Sequence, residues 1–182
     1  NTTADNNTAV GKYALRVNTT GGSNVAVGAT SLDANTTGGT NTAIGAAAMS
    51  ANTTGSGNTS LGFNSLATNT TASNNTAVGY SALLLNATGT ANTAVGKDAL
   101  EANTGDNNTA VGLDAMASNT SGTQNTGIGV GALTANTTGN YSTALGYLAG
   151  GANTSGTEHT FVGYLAGRYT TGSGIDYNTG IG

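Results

Sequence analysis

The sequence predicts an all-β protein, a parallel β-solenoid or β-roll of about ten 17-residue coils. Three features carry this prediction: a 17-residue period, apolar residues at constant places in each period, and turn-forming residues between them. Self-similarity at a short fixed period indicates stacked units that bury their faces against each other. The period is marked by a motif glycine, at Gly11, Gly28, Gly45, Gly62, Gly79, Gly96, Gly112, Gly129, Gly146 and Gly163.

Among these ten glycines the period breaks once, between Gly96 and Gly112, where one residue is missing. The shortened stretch reads Asn-Thr-Gly at residues 103–105, whereas most other copies read Asn-Thr-Thr-Gly or a near variant. We therefore expect a shorter turn and an unchanged core.

A short strand is predicted just before each motif glycine, where the phrase Asn-Thr-Ala-Val-Gly recurs. Alternate side chains of a strand share a face, so the threonine and the valine should point one way and the alanine the other. Because Val25 replaces the threonine in one copy, we expect the threonine and valine to face the core. This valine column consists of Val10, Val27, Ile44, Leu61, Val78, Val95, Val111, Ile128, Leu145 and Val162.

A second apolar contribution follows four places after the motif glycine. This leucine column consists of Leu15, Leu32, Leu66, Leu83, Leu100 and Leu133, with Met49 and Met116 at the same place. A helix through these residues is disfavoured, because Asn, Thr and Gly interrupt every copy before a stable helical length is reached.

Asparagines stacked at one place of the coil can hydrogen-bond along the stack, and two such ladders are predicted. The turn asparagine column consists of Asn18, Asn35, Asn52, Asn69, Asn86, Asn103, Asn119, Asn136 and Asn153. The strand asparagine column consists of Asn7, Asn24, Asn41, Asn58, Asn75, Asn92, Asn108 and Asn125. Asn and Gly tolerate left-handed backbone angles, so we expect two corners per coil, at the motif glycine and at Asn-Thr-Thr-Gly.

The motifs SNVAVG at residues 23–28 and NTAIG at residues 41–45 resemble the repeats in the head domains of trimeric autotransporter adhesins. The longer phrase NTAVGYSALLLNATG at residues 75–89 resembles repeats of phage tail-fibre and bacterial surface fibre proteins, which often end in a self-cleaving chaperone domain. The likeness extends over residues 7–182 and implies a trimer of left-handed β-rolls with inward valine columns. The repeat here is longer, and threonine usually replaces the first valine of the family motif.

Composition argues against several classes of function. The chain has 182 residues, no cysteine and one histidine. Its net charge of -4 argues against a basic surface that would bind nucleic acid. The sequence contains no run of 18 apolar residues, so no membrane-inserted segment is predicted. We predict no catalytic residue, cofactor or metal site. His159 lies in the strand asparagine column, where it replaces an asparagine, and GIGVG at residues 127–131 repeats the common motif rather than forming a phosphate loop.

Two kinds of surface site remain as hypotheses. Glycosylation sequons, predicted to lie in exposed turns, occur at Asn18, Asn35, Asn52, Asn69, Asn86, Asn119, Asn136 and Asn153, although the same letters also make a good turn. Aromatic residues concentrate near the end, where residues 141–182 form less regular terminal coils after a regular solenoid over residues 1–140. A capping region is the simpler interpretation. The alternative is a carbohydrate-binding surface that includes Tyr141, Tyr147, Phe161 and Tyr164.

We expect a non-enzymatic, extracellular structural or adhesive fibre at a cell or virion surface, whose partners are copies of itself and a surface glycan or host receptor. The chain starts within a repeat, so we expect it to be a piece of a longer protein. The alternative is an ice-binding solenoid that uses stacked Thr and Asn ladders. Ice binding would require two outward threonine columns one residue apart, whereas the regular pair Thr19 and Thr20 is adjacent.

Overall fold

The computed structural model describes residues 3–170 and 177–182. This part of the chain contains eleven three-residue strands and no α-helix. The strands β1 to β11 span Thr8–Val10, Val25–Val27, Thr42–Ile44, Thr59–Leu61, Thr76–Val78, Thr93–Val95, Thr109–Val111, Thr126–Ile128, Thr143–Leu145, Thr160–Val162 and Thr179–Ile181.

The eleven strands form one parallel sheet in sequence order, β1 to β11. Equivalent residues lie side by side, so Thr42 pairs with Thr59 and Ile44 with Leu61. The chain is thus a β-solenoid of about ten turns, which confirms the all-β solenoid prediction. We number each coil after the strand it contains.

Backbone hydrogen bonds join neighbouring coils on every side, not only along the sheet. On the second side the amide N of Leu32 donates to the carbonyl of Ala48 (3.1 Å), and at the turn Thr36 N donates to Thr53 O (2.9 Å). A coil without a helix or a second sheet therefore still satisfies most of its main-chain polar groups through the coil above and the coil below.

Left-handed backbone angles turn the chain, and they are more numerous than the two predicted corners. The motif glycines have φ between 129° and 145°, and a Cβ at Gly45 would meet the carbonyl carbon of Gly62 at 2.6 Å. The leucine column also adopts left-handed φ, from 48° to 53°. This conformation costs a non-glycine residue about 1–2 kcal/mol. Its recurrence in eight coils indicates that burial of the side chain offsets the cost.

The interior holds the leucine column on one side and the middle residue of each strand on the other, except at the two ends, where Ala9 is exposed and Gly180 is half-buried. We call these middle residues the alanine column; it contains Ala9, Ala26, Ala43, Ser60, Ala77, Ala94, Ala110, Gly127, Ala144, Phe161 and Gly180. Five predicted core leucines are fully buried and Leu15 is 8% exposed; the five are Leu32, Leu66, Leu83, Leu100 and Leu133.

The prediction that the valine column faces the core is wrong. Its side chains point out of the coil, with Val10 59% exposed and Leu145 48% exposed, while Ala26 and Ala43 are fully buried. A leucine and two asparagines already fill the cross-section, so only a methyl-sized group fits on the inner side of the strand. The corrected residues are Val10, Val27, Ile44, Leu61, Val78, Val95, Val111, Ile128, Leu145 and Val162.

Both asparagine columns are buried and hydrogen-bonded along the stack. In the turn column, Asn35 Nδ2 donates to Asn18 Oδ1 (2.7 Å) and to the turn carbonyl of Gly38 (2.9 Å). In the strand column, Asn24 Oδ1 accepts from Asn41 N (2.9 Å), and Asn24 Nδ2 donates to Gly38 O (2.9 Å). The two ladders therefore converge on one inward carbonyl in each coil.

The turn ladder is interrupted between coils 4 and 5 and between coils 8 and 9, where the Oδ1 atoms of Asn69 and Asn136 are buried without a hydrogen-bond partner. Between coils 4 and 5, Ala72 occupies the place of the turn glycine. At the equivalent Gly38, a Cβ would lie 2.6 Å from Asn35 Oδ1 and 3.0 Å from Asn52 Nδ2. The methyl group of Ala72 therefore separates the two amides that would otherwise bond.

The 16-residue coil absorbs its missing residue in the turn. Strand register is maintained across it, because Thr93 pairs with Thr109. The amide of Asn103 reaches Gly105 O (2.8 Å), two residues on, where other coils use a carbonyl three residues on. The core columns on both sides are undisturbed.

Candidate functional site: the exposed sheet face

The outer face of the sheet is the most regular exposed surface of the solenoid. It carries the valine column, which continues to Ile181, and a second column two residues earlier. The two columns are separated by one inward residue, about 6.6 Å along the strand, and repeat every ~4.8 Å between strands. This threonine column contains Thr8, Val25, Thr42, Thr59, Thr76, Thr93, Thr109, Thr126, Thr143, Thr160 and Thr179.

The sheet face is uncharged and half apolar along its whole length. Neither column contains Asp, Glu, Lys or Arg in any of the eleven strands. Large aliphatic side chains are strongly exposed on it: Leu61 is 45%, Ile128 is 37% and Ile181 is 81% exposed. Contiguous apolar surface of this extent is unusual on a solvated protein and typically marks an interaction site.

Aromatic and aliphatic side chains border this face on the side that follows the motif glycine. We call this column the downstream edge; it contains Lys12, Ala29, Ala46, Phe63, Tyr80, Lys97, Leu113, Val130, Tyr147 and Tyr164. The rings stack between coils, with centroids 5.5 Å apart for Phe63 and Tyr80 and 5.4 Å apart for Tyr147 and Tyr164. The stacked rings extend the apolar surface beyond the sheet.

Lys97 interrupts the downstream edge with a positive charge. Its ammonium contacts the carboxylate of Asp98, and this hydrogen bond, with smaller contributions from Asp98, Asp114 and Tyr80, raises the pKa of Lys97 above its usual value. Lys97 Nζ also lies 5.8 Å from the centroid of the Tyr80 ring. The lysine is therefore fully charged at neutral pH and is held against its own coil.

The predicted glycosylation sites are buried, so the expectation that they lie in exposed turns is wrong. The side chains of the turn asparagine column are 0–2% exposed, and their amides bond to turn carbonyls and to each other. A glycan on such a nitrogen would require the ladder to open. The folded chain therefore cannot carry glycans at Asn18, Asn35, Asn52, Asn69, Asn86, Asn119, Asn136 or Asn153.

The four candidate aromatics do not form one surface. Phe161 is 1% exposed and lies in the core, which contradicts its assignment to a surface patch. Tyr147 and Tyr164 stack on the downstream edge, 46% and 69% exposed. Tyr141 is 57% exposed but precedes β9, whereas Tyr147 follows it, so the two lie at opposite ends of the same strand.

His159 occupies the strand asparagine column as a buried hydrogen-bonding group. Its Nδ1 accepts from Asn178 N (3.2 Å), its main-chain N donates to Ser142 Oγ (3.3 Å), and its ring lies 5.3 Å from that of Phe161. Over residues 3–170 and 177–182, no pocket and no group of three or more His, Cys, Asp or Glu residues is present.

No family model, curated protein or solved structure matches the chain. Among the described residues, no helix has the length and apolar character needed to cross a membrane. The sheet face, with its downstream edge, is thus the candidate interaction surface of the solenoid.

Proposed function

We propose that the chain is the shaft of an extracellular, non-enzymatic fibre at a cell or virion surface, built from three copies that pack their sheet faces around a common axis. The observation that carries the proposal is the uncharged valine column, whose members are exposed or half-buried in all eleven strands and fully buried in none. Burying these side chains against a second copy removes apolar surface from water, at roughly 25 cal/mol per Å².

The face is large enough for a stable interface. Ten strand spacings of ~4.8 Å give a length of about 48 Å, and about five residues of ~3.3 Å give a width of about 16 Å. The product is on the order of 800 Å² per copy, shared between two neighbours in a trimer, so each copy buries in total about as much as one partner of a standard interface.

The rest of the coil surface suits a spacer. Charged and variable residues lie away from the two outward columns of the sheet, as in the Arg16–Asp33 ion pair (2.9 Å) between coils 1 and 2. In a solenoid each coil contacts only its neighbours, so length can be added coil by coil without redesigning the core. A stiff rod of this kind would hold a binding tip, for a glycan or a host receptor, away from the surface.

Sedimentation equilibrium at micromolar concentration tests the proposal. We expect a mass three times the 17.5 kDa of one chain. The Val78→Asp, Val95→Asp double variant should dissociate yet keep its circular dichroism spectrum, because both side chains lie outside the coil interior. Thr37→Asp, at an exposed turn, is the matched control. A folded wild-type monomer would overturn the proposal.

Ice binding is the second candidate, and one observation favours it. The threonine column faces outward, contrary to the sequence prediction, and stands one inward residue away from the valine column. A flat, rigid array of threonine and aliphatic side chains at ~4.8 Å spacing could order water into a lattice. Ice binding would require the sheet face to be open to solvent, as it is in a monomer. Thermal hysteresis that disappears in Thr93→Lys would favour ice binding over the shaft, whereas its absence would remove this candidate.

A further inference from the structure

A histidine is buried in the strand asparagine column near one end of the solenoid. His159 is the one histidine of the chain and is 0% exposed. In residues 3–170 and 177–182, every Asp, Glu, Lys, Arg and Tyr is at least partly exposed. His159 is therefore the group in the described interior that can change its charge near neutral pH, because an unperturbed imidazole gains a proton at about pH 6.5.

The imidazole takes over the hydrogen bond that a ladder asparagine makes to the next coil. Asn58 Oδ1 accepts from the main-chain N of Asn75 (2.9 Å). His159 Nδ1 accepts in the same way from the main-chain N of Asn178 (3.2 Å). An imidazole nitrogen can accept a hydrogen bond only while it carries no proton. The bond between coils 10 and 11 therefore requires a neutral ring with its proton on Nε2, whereas an amide oxygen makes the same bond at any pH.

The ring is enclosed by groups that give an imidazolium little compensation. His159 N donates to Ser142 Oγ (3.3 Å), and a Cβ added to Gly156 would collide with Nε2. The Phe161 ring lies 5.3 Å from the imidazole, tilted by 37°. An aromatic face attracts a cation only weakly compared with the hydration that a buried charge loses. The neutral ring is thus the form that this interior accommodates.

The titratable side chains nearest to His159 lie on the outside of the coils. Glu158 precedes it in the chain, and Tyr141 and Tyr177 occupy the place of Glu158 in coils 9 and 11; all three are exposed. Asp176 lies outside the described residues. A carboxylate in water is screened, so Glu158 offsets little of the cost of a charge inside the coil.

The neighbouring coils lack several interactions that hold the other coils together. Asn136 Oδ1 is buried without a hydrogen-bond partner, so the turn ladder is broken below this region. Gly167 replaces the leucine of coil 10, and Ser142 replaces the strand asparagine of coil 9. Among the bonds that remain between coils 10 and 11, Thr160 N donates to Asn178 O (2.8 Å). Local opening here has fewer interactions to break than in the regular coils.

We propose that His159 and Asn178 form an acid-sensitive joint, in which proton uptake on Nδ1 breaks the bond to Asn178 and opens the contact between coils 10 and 11. After protonation, two N–H donors face each other and a positive charge lies where no solvent reaches it. The open joint binds a proton that the closed joint excludes. The closed joint is therefore stable above about pH 6.5 and weakens as the pH falls below that value.

Nuclear magnetic resonance of the imidazole tests the protonation state. Because the chain has one histidine, its ring nitrogen signals belong to His159 without further assignment. At pH 7.5 we expect the proton on Nε2 and none on Nδ1. A ring that carries its proton on Nδ1 at pH 7.5 would contradict the proposal, because Nδ1 could not then accept from Asn178.

Hydrogen exchange at the Asn178 amide tests the opening. One linked proton changes the ratio of closed to open joint by at most about tenfold per pH unit. Between pH 7.5 and pH 5.0 we expect the protection factor of this amide to fall at least tenfold. The Asn75 amide, which is bonded to an asparagine, is the internal control and should change less than threefold.

His159→Asn is the matched variant, because it restores the residue that the column carries in coils 1 to 8. Its Oδ1 can accept from Asn178 N without titrating, so the protection factor of Asn178 should change less than threefold over the same pH range. Exposed carboxylates are the same in both proteins, so their protonation cancels in the comparison. An equal fall at Asn178 in wild type and variant would assign the acid sensitivity to other groups and overturn the joint.

This inference does not depend on self-association, and the two tests fail separately. A monomeric wild type whose Asn178 amide loses protection in acid would remove the shaft and leave the joint. A trimer whose Asn178 amide stays protected at pH 5.0 would remove the joint and leave the shaft.

Discussion

Coils 2 to 8 and coils 9 to 10 fill the same interior in different ways. In the first group a leucine or methionine packs against a small strand residue, as Leu83 packs near Ala77. In the second group the leucine column contains Gly150 and Gly167, and the strand of coil 10 supplies Phe161. A Cβ at Gly150 would lie 2.7 Å from Phe161 Cδ2, so the phenylalanine occupies the space that the leucines leave.

This difference shows that the coil conserves interior volume rather than residue type. Gly150 and Gly167 have φ of 60°, close to the 48–53° of the leucine column, so the backbone conformation is retained. Only the position of the large side chain differs, because it lies in the alanine column instead of the leucine column. Gly127 follows the same rule, because a Cβ there would meet Met116 Cγ at 2.9 Å. Protein interiors are close-packed, so a larger side chain on one side of the coil requires a smaller one on the other.

The largest expected effect comes from emptying the exceptional coils. Phe161→Ala should lower the free energy of unfolding by about 3–5 kcal/mol, because no neighbouring side chain can fill the space. Adding Gly150→Leu and Gly167→Leu to that variant should restore all but ~1.5 kcal/mol of the lost free energy of unfolding, since leucine already adopts this backbone conformation in other coils.

Urea unfolding at a fixed protein concentration measures both variants. Gly167→Leu with Phe161 retained is the control, and it should destabilise the protein through overpacking against the ring. If the triple variant were no more stable than Phe161→Ala, the volume rule drawn from the comparison would be wrong.

A smaller effect is expected from the strand asparagine ladder, which runs through coils 1 to 8 and is replaced by Ser142 and His159 in coils 9 and 10. Asn58 Oδ1 accepts from Asn75 N (2.9 Å) and its Nδ2 donates to Ala72 O (2.9 Å). Asn58→Ala would leave the buried Asn75 amide unsatisfied and remove one of the two donors to Ala72 O, which keeps its bond from Asn69 Nδ2, and should cost about 1–3 kcal/mol.

The matched control for this ladder variant is Asn74→Ala. Asn74 is exposed, and Ala91 already adopts the same left-handed angle in the next coil, so a change below ~1 kcal/mol is expected. Equal losses in the two variants, measured by urea unfolding, would show that the ladder adds nothing beyond the stacking of the coils.

The smallest expected effect is the repair of the ladder. Ala72→Gly should allow Asn86 Nδ2 to donate to Asn69 Oδ1, gaining a hydrogen bond of about 1 kcal/mol and losing a similar amount to backbone entropy. Stability should therefore change by less than ~1 kcal/mol, while hydrogen exchange at the Asn86 side-chain amide slows. Unchanged exchange would mean that the alanine methyl is not what separates the amides.

The sequence predicted the period, the solenoid and the inward leucines, because each is a pattern that repeats in every coil. It did not predict which side of the strand faces inward. The signal was present at Phe161, where a large residue enters the alanine column in the same coils that lose their leucines to Gly150 and Gly167. That compensation makes sense only if the alanine column is interior.

The candidate site was found in part. The valine column was recognised as apolar and continuous, but it was assigned to the core of the coil. The eight sequons were recognised as turn residues, but a turn asparagine can point inward, and these do because the Gly38-type carbonyls they bond lie inside the coil. That Tyr141 and Tyr147 lie at opposite ends of β9, and so not on one surface, became clear only from the tertiary structure.

The sequence by itself determined that the chain repeats, that repeats stack in register, and that threonine and valine share a face opposite alanine. Those properties follow from local spacing, which the chain carries in one dimension. Only the tertiary structure decided which face is inside, because that depends on the width of the closed coil. A ring of 17 residues has room for a leucine and two asparagine amides, and what is left accepts a methyl group and excludes a valine.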